Sequence, residues 1–161
     1  MKNSITSKFV ALVNELQATP DNHSVQQKLV HCLPEMKALA SENPLALFHL
    51  AKIYPPKSPE YRNTIRQSAN KGCTNAMLEL CTLLIASGKR DEIKTAAHFI
   101  KKIKHSNDTH IYNLSKKLVQ SHPELANALH EQSSTQTHGF FSKRGSNPIE
   151  SMKQSDYSKS P

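Results

Sequence analysis

The chain contains no tryptophan and only four glycines, and its aromatic residues amount to 6% of 161 positions. So little glycine disfavours a turn-rich β-sandwich. The glycines stand apart at 72, 88, 139 and 145, which excludes a Gly-rich phosphate loop or a dinucleotide-binding fingerprint. Cysteine is scarce and odd in number. Cys32, Cys73 and Cys81 form no C-x-x-C pair, so neither a disulfide framework nor a zinc knuckle is indicated and a reducing compartment fits best. Long apolar runs are also missing. The N-terminal run from Phe9 to Val13 is broken by Asn14 and Glu15, too short for a signal peptide. No stretch approaches the roughly 20 apolar residues of a membrane span. A soluble cytoplasmic protein outside the Sec route, without membrane contact, is the expectation.

What the chain does have is helix-forming composition. Ala, Leu, Lys, Gln and Glu are frequent up to residue 131, and an all-α fold follows from their propensities. Ile5, Phe9, Leu12, Val13 and Leu16 make one helical stripe, predicting a first helix from about Ser4 to Ala18, before Pro20. Ser24-Val-Gln-Gln27 reads as a capping box opening a second helix, which Pro34 is expected to break. Asn43-Pro44 and Ser58-Pro59 each set a cap residue before a proline at the first helical position, and Thr74 and Asp108 are further cap candidates. Gly88 is placed to end a helix in left-handed conformation. Helices are expected over 44–54, 59–71, 75–87, 90–105, 109–121 and 123–131. Short links would make neighbours antiparallel. Residues 132–161 lose apolar periodicity and turn rich in Ser, Gln, Lys and Pro, so a disordered tail is expected from there.

Three stretches share a rhythm: NPLALFHLAKIY at 43–54, NAMLELCTLL at 75–84 and THIYNLSKKL at 109–118. Registered on Ala46, Ala76 and His110, they set Phe48, Leu78 and Tyr112 two places on, and Leu50, Leu80 and Leu114 four places on. Ala51, Cys81 and Ser115 follow, and then Tyr54, Leu84 and Leu118. In the second helices Ile65 matches Phe99 and Ala69 matches Ile103. The units lie 30 and 34 residues apart, the spacing of helical-pair arrays. A small residue returning at one place lets two helices approach closely, so the repeat reads as a packing instruction.

ALFHLAKIY followed by YRNTIRQSANKGCTNA, and then AMLELCTLLIASGKRDEIKTAAHFIKKIKHSND, resemble the Sel1-like repeat, a relative of the tetratricopeptide repeat. The resemblance covers about residues 35–122. Pro55-Pro56-Lys57 replaces the family's loop glycines in the first unit, and the second-helix aromatic occurs only as Phe99. The resemblance implies a short right-handed α-solenoid of stacked hairpins that binds other proteins on a concave face and has no chemistry of its own. On this reading residues 1–33 are capping helices, 34–131 the repeats and 132–161 the tail.

None of the chemical candidates has the spacing that its chemistry needs. Nine histidines include no H-E-x-x-H and no zinc-type His/Cys spacing, so surface or capping roles are expected for His23, His31, His105, His110, His122 and His130. Cys32 and Cys81 fall on apolar stripes as small hydrophobes, whereas Cys73 in a turn is expected to be exposed. No cofactor, metal or enzymatic activity is expected. Phe48, Leu50, Tyr54, Leu80 and Leu84 read as core.

Two classes of partner stay open. Off the core stripe, His49, Glu79 and Asn113 occupy one equivalent position and Lys52, Thr82 and Lys116 another, predicting two parallel rows on a protein-binding groove. A net charge of +8, with Lys89, Arg90, Lys94, Lys101, Lys102, Lys104, Lys116 and Lys117 on two adjacent helices, raises nucleic acid as the alternative. No aromatics interleave for base stacking, and lysines at helix C-termini complement the dipole anyway. A monomer or weak homo-oligomer is expected. Phe140 and Phe141 in the polar tail have the layout of a short binding motif, and that tail also has the composition of a bacterial effector's C-terminal secretion signal, which leaves non-Sec delivery to a host cell open.

Overall fold

A computed structural model describes residues 2–142. Among them every regular element is helical: α1 Lys2–Ala18, α2 His23–Glu42, α3 Pro44–Leu50 with a 3₁₀ turn Ala51–Ile53, α4 Pro59–Asn70, α5 Thr74–Ala86, α6 Arg90–Lys104, α7 Thr109–Ser121 and α8 Pro123–Ser142. The all-α expectation holds, and the helix starts follow local chemistry. Asn43 accepts from the amides of Leu45 and Ala46 at 2.9 and 3.3 Å. Ser58 accepts from Tyr61 N at 3.1 Å, and Asp108 from Ile111 N at 3.0 Å. Each satisfies an amide that the first helical turn leaves unpaired.

Two expected caps are wrong. The cap of α2 is Asn22, whose side chain accepts from Ser24 N and Val25 N. Cys73, not Thr74, caps α5, with no side-chain bond. Thr74 Oγ1 instead donates to Asp108 Oδ2 at 2.7 Å. The beginnings of α5 and α7 therefore lie side by side.

Pro34 does not break α2. Val25, Leu29, Cys32, Met36 and Ala40 form one unbroken buried stripe across it, and their packing outweighs a penalty of about 3 kcal/mol for an interior proline. Pro34 and Val30, whose carbonyl loses its intrahelical donor, are both exposed, so water can satisfy that oxygen. The expected boundary between residues 33 and 34 thus falls inside a continuous helix.

The core has two clusters that meet where α3 passes into the 3₁₀ turn. Phe9, Leu12 and Val13 of α1 pack with the α2 stripe and with Ala46, Leu47 and Leu50. From Ala51 onward the buried residues belong to a second cluster running through α4, α5 and α6 to Leu125 and Ala128 of α8. Ile65, Ala69, Phe99 and Ile103 are all buried there, as the matched second-helix positions require. Buried polar groups are paired: Ser68 Oγ donates to Pro44 O at 2.6 Å and Ser115 Oγ to Tyr112 O at 2.7 Å.

The repeat register holds for two units and slips in the third. Ala46 and Ala76 are buried, as are Ala51, Cys81 and Ser115. His110, the third register point, is exposed. Counting from the caps Asn43, Cys73 and Asp108 puts Ile111 in place of His110, and Ile111 is buried. The turn before α7 is one residue longer than that before α5, so Ile111 takes the buried first-turn place of Ala46 and Ala76, while Ser115 keeps its matched position.

The turns from residue 54 to 108 also share a device. Lys57, Gly72, Gly88 and Asn107 have φ of 68°, 100°, 67° and 63°. Left-handed backbone suits Gly and is tolerated by Asn, but it crowds the Cβ of lysine. Lys57 therefore adopts, in the turn after α3, the conformation that Gly88 takes in the turn after α5. At the other end, the tail expected to be loose from residue 132 continues α8 to Ser142. Gln132 Nε2 donates to Lys94 O at 2.8 Å, anchoring a helix whose extension is cheap once nucleated. The remainder of the tail and its secretion reading lie outside the described residues; so do the side chains of Phe140 and Phe141.

Candidate functional site

The 3₁₀ turn after α3 sends Lys52 towards α4. Its ammonium lies 5.0 Å from the Phe48 ring centroid and 5.3 Å from that of Tyr61, within cation–π range. Lys52 Nζ donates to Tyr61 Oη at 3.0 Å, and Tyr61 O–H donates to Glu79 Oε1 at 2.7 Å. Three successive elements are thereby tied through one phenol. Tyr61 is 5% exposed, and a buried tyrosine hydroxyl needs a partner. Burial first, then the hydrogen bond and charge of Glu79, push its ionisation far above the usual range. It stays a phenol, which keeps its single proton directed at the carboxylate.

His49 stands on the same wall, edge-on to Phe48 at 5.4 Å. Burial, with the Lys52 charge second, lowers its pKa from 6.5, so the ring is neutral at pH 7. These side chains face Val10, Val13 and Gln17 of α1 across a cleft of about 480 Å³. Phe48 and Tyr54, expected as core, are half-buried and line it, because α3 ends too early for the next helix to cover them.

Of the six residues expected on a groove, three meet here: His49, Lys52 and Glu79. They come from both expected rows: Lys52 and Glu79 bond the Tyr61 hydroxyl, and His49 lines the cleft beside Lys52. Thr82 is exposed and its hydroxyl bonds back to Leu78 O at 3.2 Å. Asn113 is exposed on α7. Lys116 lies 4.4 Å over the Tyr112 ring and lines a different cleft. Tyr61 was missed as the organising residue. The legible signal was its place on the buried Ile65 face, one turn after Ser58-Pro59, where a hydroxyl would have to find a partner.

The other chemical candidates have structural surroundings. Cys32 and Cys81 are buried as expected; Cys73 is only 7% exposed, contrary to expectation, because its turn packs into the second core cluster. Burial pushes the Cys81 thiol up to about 12, and its Sγ donates to Ala96 O at 3.4 Å. His122 and His105 are C-caps of α7 and α6. Among the described residues no three His, Cys, Asp or Glu side chains are grouped to hold a metal, and no helix is long and apolar enough to cross a membrane.

The basic residues divide by role. Lys101, Lys102 and Lys104 occupy the last turn of α6, opposite Asp91 and Glu92 in its first, a distribution that complements the helix dipole. Arg90 pairs with Glu131 at 3.6 Å, and Lys102 lies 5.4 Å from the Phe99 ring. Comparison of the chain with family models, with curated proteins and with solved structures yields no match.

Proposed function

We propose that this chain is a non-enzymatic protein-binding module of stacked helical hairpins, an adaptor or an effector-like regulator that holds a partner protein. The observation that carries the reading is the Lys52–Tyr61–Glu79 chain at 3.0 and 2.7 Å beside an aromatic-walled cleft. It holds polar and aromatic groups in one arrangement before any partner arrives, which lowers the ordering cost of association. The buried Ala46 and Ala76 and the Thr74–Asp108 contact support stacked hairpins, and the resemblance of residues 35–122 to Sel1-like units implies that the solenoid is right-handed.

Affinity capture with the full chain tests this directly. His49→Ala and Lys52→Ala should each release a specifically captured protein while circular dichroism stays unchanged. Retention of the same protein by both folded variants would refute the cleft as the binding surface. The lysines of α6 and α7 favour a second reading, a basic nucleic-acid-binding regulator. It requires retention on DNA or RNA at about 50 mM salt with a steep salt dependence.

A further inference from the structure

A second cleft lies among α6, α7 and α8, with a volume of about 390 Å³. Val119 and Leu129 are part of its apolar lining, and Tyr112 supplies an aromatic wall. Lys101, Lys104 and Lys116 also line it, and among the described residues no carboxylate does. The dipole accounts for lysines ending α6. It does not account for Lys116, which sits mid-way along α7 yet reaches the same place.

The carboxylates of these helices are engaged elsewhere. Glu92 pairs with Arg62 at 2.6 Å, Glu131 with Arg90, Glu124 meets His122 Nδ1 at 3.1 Å, and Asp108 caps α7 while accepting from Thr74. Asp91, ten residues before Lys101, is about 15 Å away along the helix. Among the described residues, an apolar cleft with three ammonium groups is therefore left without a counter-charge.

We infer that the α6–α7–α8 cleft is a docking site for an acidic segment of a partner protein, one that inserts an apolar side chain between flanking Glu or Asp residues. The apolar lining needs a side chain that excludes water, and the three lysines need carboxylates. The chain's own residues 143–161 do not suit it. They carry Lys143, Arg144, Lys153 and Lys159 against Glu150 and Asp156, the same sign as the cleft. Nucleic acid suits it less, because the Lys116 ammonium already covers a face of the Tyr112 ring at 4.4 Å, where a base would stack. The inference uses none of the residues of the Tyr61 cleft.

The test is fluorescence anisotropy with the full chain and a labelled synthetic peptide in which a Leu-Phe pair is flanked by glutamates. A peptide with Ser-Ser at the pair, a peptide with Gln for Glu, and a labelled single-stranded oligonucleotide serve as comparisons. The acidic apolar peptide should bind, and each of the two altered peptides should bind at least about ten-fold more weakly. An exposed ion pair changes an affinity by up to about five-fold, so Lys101→Ala, Lys104→Ala and Lys116→Ala together should weaken binding about ten-fold or more. Lys52→Ala should leave it unchanged, which separates this site from the first cleft. The inference is overturned by no binding at about 1 mM peptide, the range of very weak complexes. Equal binding of the Ser-Ser peptide, or tighter binding of the oligonucleotide than of the acidic peptide, would overturn it too, and both comparisons use the unaltered chain.

Discussion

The two clefts are built from the same kinds of residue, lysine against tyrosine with apolar flanks, yet their charges are in opposite states. At the first, Lys52 already has the Tyr61 hydroxyl and two ring faces, and Glu79 accepts a hydrogen bond from the tyrosine hydroxyl. At the second, Lys116 has a ring face but no carboxylate of the described residues lines the cleft. Polar groups that satisfy one another fix a shape, while groups of one sign left together invite a partner of the other sign. The first cleft thus offers pre-set geometry and the second offers unbalanced charge.

The sharpest way to break the comparison is to truncate the two tyrosines. Tyr61→Ala removes a buried ring from the second core cluster and should cost about 3–5 kcal/mol. Tyr112→Ala removes a half-buried ring and should cost about 1 kcal/mol. Urea unfolding of both proteins measures the gap, and equal losses would mean that the first phenol is no anchor. Tyr61→Phe keeps the ring but strands Lys52 and Glu79, and should cost about 1–3 kcal/mol by the same measurement.

The stacking contact between α5 and α7 gives a smaller effect. Asp108→Ala removes the α7 cap and the Thr74 bond, and should cost about 1–2 kcal/mol in thermal or urea unfolding. The Thr74 hydrogen bond, followed by the Ile111 amide, lowers the Asp108 pKa from 3.8. Its contribution is present above that value and is lost as pH falls through the lower, folded-state pKa. Wild type should therefore lose stability more steeply than the variant below pH 3.8. His49 works at milder acidity. Its folded pKa lies below 6.5, so the unfolded chain takes up the proton first and stability falls as pH drops below 6.5. His49→Gln should flatten that slope. The smallest effect is expected at Lys57, where Lys57→Gly relieves left-handed backbone and should raise stability by about 0.5 kcal/mol, once the extra freedom of glycine in the unfolded chain is subtracted.

Much of the fold was legible because its signals are local. The caps Asn43, Ser58 and Asp108 act within one turn, and the stripe from Ile5 to Leu16 needs only 3.6-residue periodicity. Pro34 misled because its cost is local while the compensation, burial of Met36 and Ala40, belongs to packing against other helices. The third register point misled because the turn before α7 is one residue longer than the turn before α5, which changes the side chain buried in the first turn. The candidate site was half-legible. His49, Lys52 and Glu79 could be found by counting along the repeat, but the hydroxyl that joins two of them lies on α4, outside the counted helices.

By itself, then, the order of residues determined that this chain is helical, where most helices begin, and that Ala46, Ala76, Ala51, Cys81 and Ser115 are buried. Those outcomes rest on backbone hydrogen bonds and on periodicity within a few residues. Only the tertiary structure decided that α2 runs through its proline and that Tyr61 links Lys52 to Glu79. It also decided that Lys101, Lys104 and Lys116 share a cleft that no acidic side chain of the described residues lines. Each of those depends on distances between side chains remote in sequence, which the turns and the close packing of small residues set.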